Sequence, residues 1–239
     1  MGVQISPCPL LLYMAKLFLV ATPIGNLEDI TLRALRILRE VDLVLCEDTR
    51  STRKLLSHFD IKKPLESFHA HSTPQKMKGL LARLQGGESI AYVTDAGTPG
   101  VSDPGELLVR VARDEGISIE TIPGASALAA SVAVAGVPLH EFLFLGFLPH
   151  KKGRETAFKK IAASEIPVFF YESTHRILKA LESLMKVMPN AQISLFRELT
   201  KIHEEVLEGT PENLLNLLTK IKVKQKGEFV VLVRNSDTK

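Results

Sequence analysis

Residues 89–122 read SIAYVTDAGTPGVSDPGELLVRVARDEGISIETI, and the fold class follows from this stretch. Its first six residues form a short apolar run with the composition of a strand. The next eleven, Asp95 to Gly105, hold three glycines and two prolines, which punctuate a tight loop. Asp103, Pro104 and Glu106 fit the N-cap, first and third positions of a helix. That helix runs to Glu115 and stops at Gly116. Residues 118–122 read as another strand. A strand, loop, helix and strand in so short a span make a βαβ unit, which implies a parallel sheet.

The alternation continues on both sides. Upstream, 17–22, 42–46 and 65–68 read as strands. Asp29 offers a helix N-cap, followed by Ile30, Ala34, Ile37, Leu38 and Val41 at helical spacing, and 50–59 reads as a second helix. Downstream, 142–145, 167–171, 192–196 and 229–233 read as strands, and 155–163, 175–187 and 211–221 as helices. The expected architecture is two α/β domains, 16–123 and 124–239, each of ordinary domain size.

Composition narrows the class. With 45% hydrophobic and 24% charged residues, the chain can bury a core, so wholesale disorder is excluded. The net charge of +3 is compatible with a nucleic-acid partner but does not identify one. Cys8 and Cys46 make neither a zinc spacing nor a disulfide framework, so a reducing, cytoplasmic setting is expected. No apolar run reaches the roughly 18 residues of a membrane helix. The run 10–15 lacks a preceding positive charge and a clear cleavage site, and Lys16 follows it. Folded structure is expected from about Lys16, with Met14 an alternative start.

Absent motifs discriminate too. There is no Walker-type phosphate loop, no G-x-G-x-x-G after a strand and no G-x-S-x-G elbow. His69-Ala70-His71 lacks a cysteine or paired carboxylate to complete a site, and no metal is expected.

Three loops after strands of the first half are rich in glycine and proline: 22–29, 95–105 and 123–127. In open α/β sheets ligands bind beyond the carboxyl ends of strands, and glycine lets backbone approach them closely. Asp95, at a strand end before two turns, is either a turn former or a ligand contact. Basic residues cluster at Arg50, Arg53 and Lys54, at Lys151, Lys152, Arg154, Lys159 and Lys160, and at Lys220, Lys222, Lys224 and Lys226. The second cluster is expected to open a helix, where the macrodipole disfavours cations; bearing that cost suggests an anionic partner.

The three loops resemble those of the tetrapyrrole methylase superfamily. VATPIGNLEDIT, LCEDTR, VTDAGTPGVSDPG, PGASA, GFLP, FYESTHR, RELTK and KGEFV follow in order between Val20 and Val230. As a set they are similar to the branch that methylates the ribose 2′-oxygen of a cytidine in the decoding region of 16S rRNA. The resemblance implies two α/β domains with S-adenosylmethionine in the cleft between them, and a homodimer acting on the small ribosomal subunit. Carried over by motif, it implies cofactor contacts at Pro23, Ala96, Gly97, Thr98, Val101, Ser126, Ala127 and Glu172. Members commonly add a helical extension after the last strand. Here Lys239 follows Val233 by six residues, and if such an extension helps to hold RNA, RNA binding is expected to rely more on Arg50, Arg53, Lys54, Lys151, Lys152 and Arg154.

Methyl transfer from a sulfonium needs alignment of oxygen, carbon and sulfur, and removal of the hydroxyl proton. Glu47 and Asp48, at the end of the second strand, and Arg50 after them are expected to face the substrate. Whether the acidic pair acts as base or only orients the ribose stays open. Two other readings remain: methylation of a tetrapyrrole or other small molecule, and a non-catalytic ribosome-binding protein of this fold.

Overall fold

The computed structural model describes residues 15–69, 72–101 and 103–235. Cys8, Met14, His71 and Ser102 lie outside them. The chain forms two compact units. One contains the residues up to Pro23 and Leu27–Ala125, the other Ile24–Asn26 and the residues from Ser126 onward.

In the first unit the elements are β1 (Lys16–Val20), α1 (Leu32–Glu40), β2 (Leu43–Cys46), α2 (Thr49–His58), β3 (Leu65–Ser67), α3 (Pro74–Gln85), β4 (Ile90–Val93), α4 (Gly105–Asp114) and β5 (Ser118–Ile122). The sheet order is β3-β2-β4-β1-β5, and every pairing is parallel. Helices cover both faces, so the central strands are buried on both sides and read as continuous apolar runs. Phe18, Val20, Val44, Cys46, Ala91 and Val93 pack against α1 and α2. Their neighbours Leu17, Leu19, Leu43, Leu45, Ile90 and Tyr92 pack against α3 and α4.

Two helix starts differ from the sequence reading. Asp29 ends a 3-10 turn, Leu27–Asp29, and Thr31 caps α1 by accepting from the Ala34 amide at 3.0 Å. Asp103 lies one residue before the N-cap position of α4, which Pro104 occupies. Its carboxylate instead closes the loop, accepting from the amides of Gly100 at 2.6 Å and Gly105 at 2.7 Å.

The second unit contains α5 (Ala127–Val134), β6 (Leu143–Phe147), α6 (Arg154–Ala162), β7 (Val168–Ser173), α7 (Ile177–Val187), β8 (Gln192–Arg197), β9 (Glu205–Gly209), α8 (Pro211–Lys220) and β10 (Glu228–Arg234). Its sheet order is β6-β7-β10-β8-β9. Only β6 and β7 pair parallel; β10 runs antiparallel to both neighbours, as β9 does to β8. The short link from β8 to β9 permits this, since antiparallel neighbours need no crossover. Helices α6, α7 and α8 cover one face and α5 the other. Phe169, Phe170, Phe196 and Phe229 are buried to 2% exposure or less. Each contributes about 1.5–3 kcal/mol relative to solvent exposure.

Candidate functional site

The helices after β1 and β2 leave toward one face of the first sheet, and the helix after β4 leaves toward the other. β4 lies between β1 and β2. The connections therefore diverge on both sides of β4, and a crevice opens at its carboxyl end.

Backbone and threonine hydroxyls lock the loops around that crevice. Thr22 and Gly97 exchange both backbone hydrogen bonds at 3.0 Å. Thr22 Oγ1 donates to the Thr94 carbonyl at 3.2 Å, Thr94 Oγ1 to the Gly97 carbonyl at 3.1 Å, and Thr98 Oγ1 to the Ala125 carbonyl at 3.0 Å. Gly97 sits at φ +86°, in the left-handed region that excludes most side chains. Gly124 is pressed against β1's end: a Cβ there would stand 3.0 Å from Ala21 Cβ. Pro23 and Gly97 are buried, whereas Asp95 and Ala96 are exposed. The sequence-predicted residues Pro23, Asp95, Ala96, Gly97 and Thr98 thus gather at one sheet edge, and Val101 follows in the same loop.

Acidic groups line the β2 side of this edge. Glu47 Oε1 accepts from the Asp95 amide at 3.4 Å, and Asp95 Oδ1 accepts from the Asp48 amide at 3.2 Å. Burial pushes the Glu47 carboxyl above its ordinary range, and the Asp103 and Asp95 charges add to that rise. Asp48 is the opposite case. Its carboxylate caps α2 and holds Arg50 through Nε and Nη2, at 3.1 and 2.7 Å. The Arg50 hydrogen bonds hold its pKa down to about 2. Glu47 is thereby the better proton acceptor, and Asp48 has a structural duty as a cap. Tyr92, fully buried beneath, points its hydroxyl at Asp103 Oδ1 at 3.4 Å.

In the second unit Ser126 caps α5, its Oγ accepting from the Ala129 amide at 3.5 Å, and Ala127 is the helix's first residue. Glu172, which the resemblance implies as a cofactor contact, lies in β7. Its side chain is wholly buried and divided between Arg154 Nη2 at 2.9 Å and Arg176 Nε at 2.6 Å, and it also accepts from the Ser173 amide. The two guanidiniums extend the knot to the carbonyls of Pro149 and Leu148.

This also corrects the second basic cluster. Lys159 and Lys160 occupy the last turn of α6, where the macrodipole favours them, and Lys151 and Lys152 precede the helix. Arg154 is spent on Glu172. In the third cluster, Lys224 pairs with Glu205.

Sequence reasoning missed the clamp on the first loop's tip. The Asn26 amide donates to Thr200 Oγ1 at 3.2 Å, and a Cβ on Gly25 would lie 2.4 Å from Lys201 Cγ. Glu198 and Thr200 hold this turn at positive φ, 53° and 65°. The RELTK block was visible, but its partner lies 174 residues away. Among the described residues no group of three or more histidine, cysteine or acidic side chains is arranged to hold a metal. None of their helices is long and apolar enough to cross a membrane.

The profile of the Tetrapyrrole (Corrin/Porphyrin) Methylases matches residues 16–215. The chain is 46% identical over 222 residues to the ribosomal RNA small subunit methyltransferase I of Xylella fastidiosa, covering 92% of this chain and 81% of that one. The chain belongs to this methyltransferase family. The Thermotoga maritima member is 42% identical over 224 residues, 94% of this chain and 100% of that one. Family members therefore occur with and without further sequence beyond the matched region. Among solved structures, a diphthine synthase superposes with TM-score 0.74 at 18% identity, over 92% of this chain and 90% of that one. A uroporphyrin-III C-methyltransferase from Thermus thermophilus, complexed with S-adenyl homocysteine, superposes with TM-score 0.63 at 18% identity, over 92% and 97%. Those two likenesses establish the fold.

Proposed function

We propose that this methyltransferase uses S-adenosylmethionine to methylate the ribose 2′-oxygen of a cytidine in the decoding region of small-subunit ribosomal RNA. The observation that carries the reading is the identity of more than 40%, across over nine-tenths of the chain, to proteins named for that RNA. A cytoplasmic homodimer working on the ribosomal subunit fits this substrate.

The residues at the crevice suit the cofactor. Ala96, Gly97, Gly124 and Ala125 place no bulky side chain over the carboxyl ends of β1, β4 and β5. The nearby carboxylates Glu47, Asp95 and Asp103 favour a cation such as a sulfonium. Pro23, Asp95, Ala96, Gly97, Thr98 and Val101 would hold it. When bound, it supplies an electrophilic methyl group. Glu47 accepts the proton of the ribose hydroxyl, and its Asp95 amide contact fixes the carboxylate. Asp48 and Arg50 orient one another and present a cation toward RNA.

The test is 2′-O-methylation mapping on small-subunit RNA incubated with the purified protein and labelled cofactor. Label on one cytidine ribose is expected. Transfer to a porphyrin instead would support the small-molecule reading, and no transfer to any acceptor would support a binding protein.

A further inference from the structure

The flank of the first unit carries an open groove of about 570 Å³, lined by Arg53, Ser57, Lys62 and Lys63 over Leu56, Ile61 and Leu65. Leu56 and Ile61 belong to the core beneath, while Arg53, Ser57 and Lys62 are exposed. Among the described residues no carboxylate forms an ion pair with Arg53, Lys62 or Lys63. By contrast, Arg33, Arg36 and Arg50 in the same unit are each paired. Three unpaired cations gathered at one concavity repel one another and leave a site for an anion.

The groove lies below the reacting edge and is joined to it by α2, which runs from the carboxyl end of β2 back toward the start of the parallel strand β3, just after Lys62 and Lys63. Helix α2 starts beside Asp48, and Arg50, Arg53 and Ser57 follow at spacings of three and four, on one helix face. That line runs about 10 Å from the Glu47 end down to the groove. We propose that this groove holds the phosphodiester backbone of the RNA strand flanking the target nucleotide. Arg53, Lys62 and Lys63 contact phosphates, Ser57 donates a hydrogen bond, and the apolar floor lies under a sugar. The inference rests on the reading of the chain as an RNA methyltransferase.

The experiment measures anisotropy of a labelled small-subunit RNA fragment against salt, with the full chain. Changing Arg53→Ala, Lys62→Ala and Lys63→Ala together should weaken binding and lower the salt slope by about two, at about 0.7 per contact. Between about 50 and about 200 mM salt, the gap between variant and wild type should narrow by about 15-fold. The charge-keeping set Arg53→Lys, Lys62→Arg and Lys63→Arg should retain most of the slope. An unchanged thermal midpoint in both sets verifies folding, since these side chains carry no core packing. If wild type binds the RNA and the alanine set matches it in affinity and slope, the groove is only a solvated surface and the functional reading stands. Equal loss in both sets would also overturn phosphate recognition there. If wild type itself ignores the RNA, the functional reading fails, and the groove assignment with it.

Discussion

Gly97 and Thr22 exchange two backbone hydrogen bonds at 3.0 Å, and this bridge ties the loop after β4 to the end of β1. It brings the small residues of both loops to one edge. Gly97 can do so only at φ +86°. Gly97→Ala should therefore cost about 1–2 kcal/mol of stability, the ordinary penalty of left-handed backbone for an L-residue. Wild type at about 100 times the cofactor dissociation constant should gain about 2.7 kcal/mol. The variant should lose most of that gain at the same cofactor concentration. Urea melts with and without cofactor measure both. Full cofactor stabilisation in the variant would place the ligand elsewhere.

Glu47 carries a prediction about pH. Burial raises its pKa, so the folded protein holds this proton more tightly than the unfolded chain does. Below the unfolded value the group carries no penalty. As pH rises through the folded value, ionising it in place erodes stability. Glu47→Gln should thus leave the protein as stable or more stable at neutral pH, with the Asp95 amide contact kept by the amide oxygen. Single-turnover methyl transfer with saturating RNA should fall by about 100-fold or more, the usual scale of general-base catalysis. The wild-type rate should rise with pH through a value above the ordinary carboxylate range, and the variant should lack that rise. A wild-type rate and profile in Glu47→Gln would remove it from the chemistry.

The central strands of the first sheet, β1, β2 and β4, were legible because they are apolar runs closed by proline or acidic residues. The cap of α1 was misplaced because Asp29 and Thr31 are both capping residues; the 3-10 turn at Leu27–Asp29 decides between them. Helix α3 was passed over although Thr73-Pro74 opens it and Gly86 ends it. Its exposed face is polar, and only Leu80 and Leu84 are buried. Strand β9 escaped because Glu205 and Glu208 interrupt a short edge strand. The Glu172 knot could not be read at all. FYES and Arg154 are visible as residues, but the pairing arises from tertiary packing between β7 and the start of α6.

That knot is itself testable. Glu172 is fully buried between two guanidiniums that are 14% and 13% exposed. Removing one partner of a buried ion pair typically costs about 3–5 kcal/mol, because the remaining charges are left uncompensated. Glu172→Gln should approach that loss. It should also speed amide exchange around residues 148–154, whose carbonyls at Leu148 and Pro149 are held by the same arginines. A loss below about 1 kcal/mol would mean that the knot contributes little net stability.

The turn before α6 gives the last prediction, and Arg154 decides how to pose it. Lys151 and Lys152 are exposed, whereas Arg154 is bound to Glu172 and lies 5.2 Å over the Phe158 ring. Changing all three together would confound RNA contact with folding. Changing Lys151→Ala and Lys152→Ala alone removes two exposed charges and leaves the knot intact. RNA affinity should fall, and the salt slope should drop by about 1.4, two contacts at about 0.7 each. The cofactor-induced rise in melting temperature should stay at the wild-type value, because neither lysine lies in the loops around β4. Arg154→Ala should behave differently, lowering the melting temperature before any RNA is added. If the double variant keeps the wild-type affinity and slope, these lysines face only solvent. Phosphate recognition would then rest on the groove of Arg53, Lys62 and Lys63.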